Sequence, residues 1–242
     1  MEISREKSVG SFVAENYRAA KVFQKYGIDF CCRGGVSLAE ASEQYNINLT
    51  KLIEELQATL NKDVIEGPDF RTWQLDKLSD YIVETHHNYI ERTVPVIQQY
   101  LNKIVDVHGK NHPELNSIKE LFITAATNLA SHTKKEEMML FPYIAKLVQI
   151  KNSQSNEKID SGFWSVQNPV KVMMSEHDVE GERFRKIAEL SNNYETPADG
   201  CRTYQVTFAL LEEFEMDLHK HIHLENNILF PAAISLENEL KG

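Results

Sequence analysis

Two stretches of this chain carry one spaced pattern. His132, Glu136, Leu140, Phe141 and Pro142 read H-x3-E-x3-LFP, and His221, Glu225, Leu229, Phe230 and Pro231 read the same. Five matched positions at one spacing mark a repeat rather than a coincidence. On a helix, residues four apart lie one turn apart on the same face. Each copy therefore aims an imidazole and a carboxylate in one direction, and its Leu-Phe pair continues toward a common core.

Two more histidines fall into register. His87 precedes His132 by 45 residues, His177 follows it by 45, and His221 comes 44 residues after His177. Four helices of near-equal length, running up-down-up-down, would bring all four histidines to one level. Such a bundle has a pseudo-two-fold axis, and each half supplies two His and one Glu. Imidazole and carboxylate suit Fe, Mn or Zn. A carboxylate has two oxygens and can bridge two cations, offsetting their repulsion. The expectation is a dinuclear site with two bridging glutamates and four terminal histidines, leaving positions free for small molecules. A lone His/Glu pair is ordinarily a plain helix-face pair; the doubled motif and the two matched histidines reverse that here. His86 neighbours His87 but projects about 100° away on a helix, so only one of the two is expected to be a ligand. His108 would lie about 30 Å along the same helix, too far to join. His219 and His223 fall on other faces and are expected to be solvated or to support the site from outside.

Only 10 Gly and 7 Pro interrupt 242 residues, which favours an all-α fold. Four long helices are expected from about Leu75 to Val107, Glu114 to Gln149, Pro169 to Asn192, and onward from near Cys201. Residues 1–62 read as a small helical domain. It holds one helix over SFVAENYRAAKVFQKYGI ended by Gly27, a second opened by a Ser37/Glu40 capping box, and a third at NLTKLIEELQATLNK. Residues 63–73, with Gly67-Pro68, read as a linker, and 74–242 as the bundle. The net charge of −10, with no basic patch, argues against nucleic acid as a partner. No apolar run approaches the roughly 20 residues of a membrane helix. The first residues carry charges of both signs and do not read as a secretory signal. A cytoplasmic location is expected.

Three cysteines, two of them adjacent, suit a reducing compartment better than a disulfide framework. Cys31 and Cys32 lie in a Gly-flanked turn ahead of a helix. A helix N-terminus and Arg33 both lower a thiol pKa, which makes the pair a candidate for redox chemistry or iron transfer. Two small residues packed in a turn is the plain alternative. Cys201 is expected to be structural.

The segment D-F-C-C-R-G-G (29–35) resembles the signature of the short N-terminal domain in iron–sulfur cluster repair di-iron proteins. The segments THH (85–87), SHTKKEEMMLFP (131–142), SEHD (175–178) and HIHLENNILFP (221–231) resemble the hemerythrin-like domain of that family. The resemblance spans essentially the whole chain. It implies an antiparallel four-helix hemerythrin-like bundle holding two Fe ions, a non-haem di-iron centre with oxo and carboxylate bridges. The ligands it implies are His87, His132, Glu136, His177, His221 and Glu225. It selects His87 over His86 because Pro95 follows His87 by eight residues, as in the family. The family's cysteine pair falls on Cys31 and Cys32. Also implied is a cytoplasmic homodimer that repairs iron–sulfur clusters damaged by nitric oxide or oxidative stress by donating iron, with damaged iron–sulfur proteins as partners. Two rival functions use the same centre: a nitric oxide reductase, and a hemerythrin-like protein that binds or senses O2 or NO. The fused cysteine domain favours repair.

Overall fold

The computed structural model describes residues 3–60, 68–153 and 165–241. Among them the regular structure is helical, apart from an isolated bridge between Ser8 and Ser37. Four short helices come first: α1 (Val9–Glu15), α2 (Arg18–Lys25), α3 (Leu38–Gln44) and α4 (Leu49–Leu60). The single helix expected over residues 11–28 is in fact two. Asn16 is extended (φ −154°, ψ 106°), and its side-chain oxygen accepts the N–H of Arg18 at 3.1 Å. A short polar side chain that bonds nearby backbone competes with helix in this way. Gly27 ends α2 as expected, at φ 67°, a conformation that glycine adopts freely. The capping box also forms, with Ser37 accepting from the Glu40 N–H and Glu40 accepting from the Ser37 N–H.

Four long rods follow. α5 runs through Leu75–Ile82, Val83–His87 and Asn88–His108, and α6 through Glu114–Lys135, Glu136–Leu140 and Phe141–Ser153. α7 is Gln167–Leu190, and α8 runs through Arg202–Leu224, Glu225–Leu229 and Phe230–Lys241. The middle segment of α5, α6 and α8 is a π-helical turn. In α6 and α8 that turn stands just ahead of Pro142 and Pro231. A proline inside a helix lacks an N–H and crowds the carbonyl four residues back. A widened turn before the ring relieves the crowding, and such turns recur at functional sites.

α5 packs on α6 and α8, and α6 packs on α7. One apolar cluster joins the N-terminal helices to one end of the bundle, through Phe12, Phe23, Phe122, Phe184 and Phe214. A second holds Leu140, Phe141, Leu229 and Phe230 with Leu78 and Ile82. The repeat's Leu-Phe pairs thus share one core. Leu129 and Leu218 belong to the first cluster and Leu140 and Leu229 to the second. The His and Glu of each repeat therefore form a buried polar layer between two apolar ones.

Of the expected linker, residues 63–67 lie outside the described residues. Phe70 and Trp73 pack on Tyr81 of α5, with ring centroids 4.9 and 5.5 Å away. Among the described residues no helix is long and apolar enough to cross a membrane.

Where the N-terminal helices meet the bundle, Gly34 is packed between its own unit's backbone and the Asn227 side chain of α8. A Cβ on Gly34 would stand 2.7 Å from Asn227 Oδ1 and 3.0 Å from Gly10 Cα, and would strike the Phe30 carbonyl. Gly34→Ala is expected to lose about 1–3 kcal/mol, the usual result of overpacking. A thermal unfolding midpoint equal to that of the parent chain would show that this contact gives way freely.

Candidate metal centre

The polar layer brings six expected side chains together in two overlapping groups. His87, Glu136, His221 and Glu225 form one; His132, Glu136, His177 and Glu225 form the other. Within each group the donor atoms lie within 4.8 Å of one another, and all six residues are buried. The glutamates are shared by orientation as well as by membership. Glu136 turns Oε2 toward His87 Nε2 (3.4 Å) and Oε1 toward His132 Nε2 (3.3 Å). Glu225 turns Oε1 toward His221 Nε2 (3.0 Å) and Oε2 toward His177 Nε2 (3.1 Å). Each carboxylate thus gives one oxygen to each group. The imidazoles converge likewise, His87 and His221 at 3.3 Å between Nε2 atoms and His132 and His177 at 2.9 Å.

Such a layer is costly without a cation. Both Glu136 oxygens and Glu225 Oε2 are buried without a hydrogen bond, because their approaches to the imidazoles are poorly aligned. Unsatisfied buried carboxylates cost several kcal/mol. Two imidazoles and two carboxylate oxygens per group suit divalent iron, manganese or zinc, and would leave positions open on a six-coordinate ion. The residues fit a pair of such ions. In the metal-free protein the imidazoles compensate instead. Burial pulls His132 down, but the negative charge of Glu136 beside it lifts it to about 9. His87 is raised against burial by Glu136 and Glu225. His221, fully buried, is lowered by its desolvation. Burial and Glu225 push Glu136 up, yet His132 holds it below the usual carboxylate range. Burial likewise opposes ionisation of Glu225, yet His221 and His177 hold it well below that range.

Several supporting residues were not legible in sequence. His87 Nδ1 pairs with Glu137 at 3.0 Å, which Lys134 also holds at 2.9 Å. His132 Nδ1 pairs with Glu176 at 2.8 Å, and Lys135 holds that carboxylate. His177 Nδ1 meets Asn226 Oδ1 at 2.9 Å. The three imidazole partners (Glu137, Glu176 and Asn226) each flank a ligand candidate in sequence, which was the available signal. His86 belongs to neither group. Its Nδ1 pairs with Asp217 at 2.9 Å and its ring stacks on His221 at 5.7 Å. Partners on the remote imidazole nitrogen typically contribute 10–100-fold to metal affinity. Asn226→Ala is therefore expected to weaken ferrous iron binding about 10–100-fold in competition with a chelator. Unchanged affinity would mean that packing alone orients His177.

Among the described residues, cavities reach the layer from two sides. One of about 280 Å³ is lined by Asn128, His132, Lys135, Glu176, His177 and Glu180. Another of about 220 Å³ lies beside His87, lined by Val94, Pro95, Ala126, Ala130 and Glu137.

Elsewhere the structure corrects the sequence reading. His223, expected to be solvated or to support the site from outside, is buried and packs on Phe30 and Tyr17 at 5.9 and 6.1 Å, which removes the first alternative. Cys201 is exposed rather than packed, at the start of α8. His108 and two backbone N–H groups pull its thiol down to about 7. Cys31 runs the other way. Asp29 Oδ1 accepts the N–H groups of Cys31 (3.2 Å), Cys32 (2.9 Å) and Arg33 (3.4 Å). The donors that would stabilise a thiolate already serve a carboxylate, and the Arg33 side chain is exposed. The contact with Cys32, burial and Asp29 push the Cys31 thiol well above its ordinary range.

Comparisons with known proteins agree with this layout. Residues 78–233 match the model of the hemerythrin HHE cation binding domain, and residues 5–60 match a domain of unknown function, DUF542. The chain is 28% identical over 235 residues to the iron-sulfur cluster repair protein ScdA of Staphylococcus haemolyticus, covering 94% of this chain and 98% of that protein. It is 29% identical over 230 residues to the iron-sulfur cluster repair protein YtfE of Yersinia pestis, covering 95% of this chain and 97% of that protein.

Proposed function

We infer a function from one premise: this chain belongs to the hemerythrin HHE cation binding domain family. It repairs iron–sulfur clusters damaged by nitric oxide or oxidative stress, and the iron it supplies is held by His87, His132, Glu136, His177, His221 and Glu225. The observation that carries this reading is the orientation of Glu136 and Glu225, each with one oxygen toward each group. Relatives named for cluster repair, aligned over nearly the whole chain, support the choice of reaction. Two ferrous ions held there would be the material for rebuilding a cluster.

The chain's residues suit holding and release. Imidazole and carboxylate hold ferrous iron less tightly than a closed thiolate cage. The cavity at His132, Lys135 and Glu176 is polar on one wall and fits the passage of an ion. Its partners are damaged iron–sulfur proteins of the cytoplasm. Reduced, iron-loaded protein is expected to restore activity to an enzyme whose [4Fe–4S] cluster nitric oxide has damaged. Glu136→Leu and Glu225→Leu are expected to abolish the restoration; normal repair by either would remove this centre as the donor.

A second reading is nitric oxide reduction at the same centre. The cavity beside His87 supports it, because Val94, Pro95, Ala126 and Ala130 make a largely apolar approach suited to a small gas. Nitrous oxide formed over many turnovers would favour this reading, and a stoichiometric trace would favour donation.

A further inference from the structure

A second group of metal-ligating side chains comes together away from the bundle layer, in the turn between α2 and α3. Asp29, Cys31 and Cys32 place a carboxylate oxygen and two sulfurs within 4.8 Å of one another. The two Sγ atoms are 3.9 Å apart and both thiols are free. Two thiolates on one tetrahedral ion, each about 2.3 Å from it, lie about 3.8 Å apart. The pair is therefore already spaced for chelation. Asp29 Oδ1 is 3.3 Å from Cys31 Sγ.

The turn is held in this shape from both sides. Asp29 Oδ1 gathers the backbone N–H groups of the turn, while Arg185 of α7 donates to Asp29 Oδ2 at 3.0 Å. Asn226 and Asn227 of α8 each donate to the Cys31 carbonyl at 3.3 Å. Cys32 fills a notch in α7 opened by Gly181, where even a Cβ would stand 3.1 Å from its sulfur. Charge also balances: two thiolates and a carboxylate are offset by Arg185 and one divalent ion. Access comes from a cavity of about 430 Å³ lined by Asp29, Cys31, Arg185, Tyr194, Glu215 and His219.

We propose that Asp29, Cys31 and Cys32 bind one thiophilic divalent cation, of the Fe2+ or Zn2+ class, at a site separate from the bundle centre. Loading breaks two S–H bonds and forms two sulfur–metal bonds; two protons leave to solvent and no electron moves. Sulfur donors select softer ions than the His/Glu layer does. The two sites are one side chain apart, because Asn226 bonds both the Cys31 carbonyl and His177 Nδ1.

The test is titration of Co2+ into the iron-loaded full chain, reduced and without air. The expected result is a near-ultraviolet thiolate-to-cobalt absorption that saturates at one Co2+ per chain. It should vanish in Cys32→Ser, weaken about tenfold or more in affinity in Asp29→Asn, at least the loss seen when a group supporting a metal site is removed, and persist in Cys201→Ser. In the parent chain, Co2+ should also protect Cys31 and Cys32 from alkylation, a readout that needs no variant to fold. No thiolate band, no protection, or a band that follows Cys201 would overturn the proposal. The bundle centre contains no sulfur, so this band is read independently of whether the chain repairs clusters.

Discussion

Glu136→Leu is expected to empty both metal positions at once, whereas His87→Ala is expected to empty one. Glu136 belongs to both groups and gives a separate oxygen to each. Removing it leaves each ion with two imidazoles and a single oxygen. Removing His87 leaves His132, His177, Glu136 and Glu225 in place. Iron per chain after anaerobic loading and desalting distinguishes the two outcomes. An iron retained by Glu136→Leu, or both lost from His87→Ala, would mean that the glutamates do not bridge.

The same substitution is expected to destabilise the metal-free protein near pH 7, by about 3 kcal/mol. Glu136 is fully buried beside His132, and the two groups hold each other charged against burial. Removing one partner of a buried pair typically costs about 3–5 kcal/mol, and His132 limits the loss by giving up its proton. An unfolding midpoint well below that of the parent chain is the expected result. A variant that unfolds no earlier yet holds no metal would show instead that the carboxylate is kept for binding at the expense of the fold.

The residues of the centre were legible because a helix face converts a spacing of four into a shared direction, and the chain states that spacing twice. Their level in the bundle followed from the near-equal intervals between His87, His132, His177 and His221. The π-helical turns were not legible. A widened turn adds one residue, which hydrophobic periodicity does not resolve, and Pro142 and Pro231 signal a helix end as readily as an accommodated proline. The break at Asn16 was missed because apolar spacing continues across it. The surroundings of the Cys31 thiol were not legible for a different reason. Sequence places Arg33 beside the cysteines, but the fold turns that side chain outward and sets Asp29 against the backbone donors. Glu137, Glu176 and Asn226 stood beside ligand candidates, yet adjacency alone does not say which of two neighbours faces inward.

Raising the pH from about 6.5 to about 9 is expected to weaken the metal-free fold and strengthen metal binding together. His132 rises to about 9 in the folded, metal-free chain, against about 6.5 unfolded. Its protonated form therefore stabilises the fold fully below about 6.5, and that contribution, about 3 kcal/mol, is lost as pH rises toward 9. The raised His87 acts in the same direction. Below 6.5 other histidines take over. Burial lowers His223 to about 3 and also lowers His219 and His221. Unfolding lets them take up protons, so stability falls as pH drops from about 6.5. Glu215 opposes them: raised to about 7 by burial, its stabilising effect is lost as pH climbs from about 4.5 to 7. Three histidines outweigh one carboxyl, so metal-free stability should peak near pH 6.5. Metal binding runs against the upper limb, because an imidazole must lose its proton to coordinate. Each displaced proton raises apparent affinity about tenfold per pH unit until His132 has titrated. Urea unfolding of metal-free protein and metal competition, both from pH 5 to 9, measure the two limbs. His132→Gln should flatten the loss of stability above pH 6.5 and leave the acid limb intact. A metal-free protein whose stability holds or grows from 6.5 to 9 would mean that His132 is neutral there, and that the carboxylates of this layer are satisfied by something other than its proton.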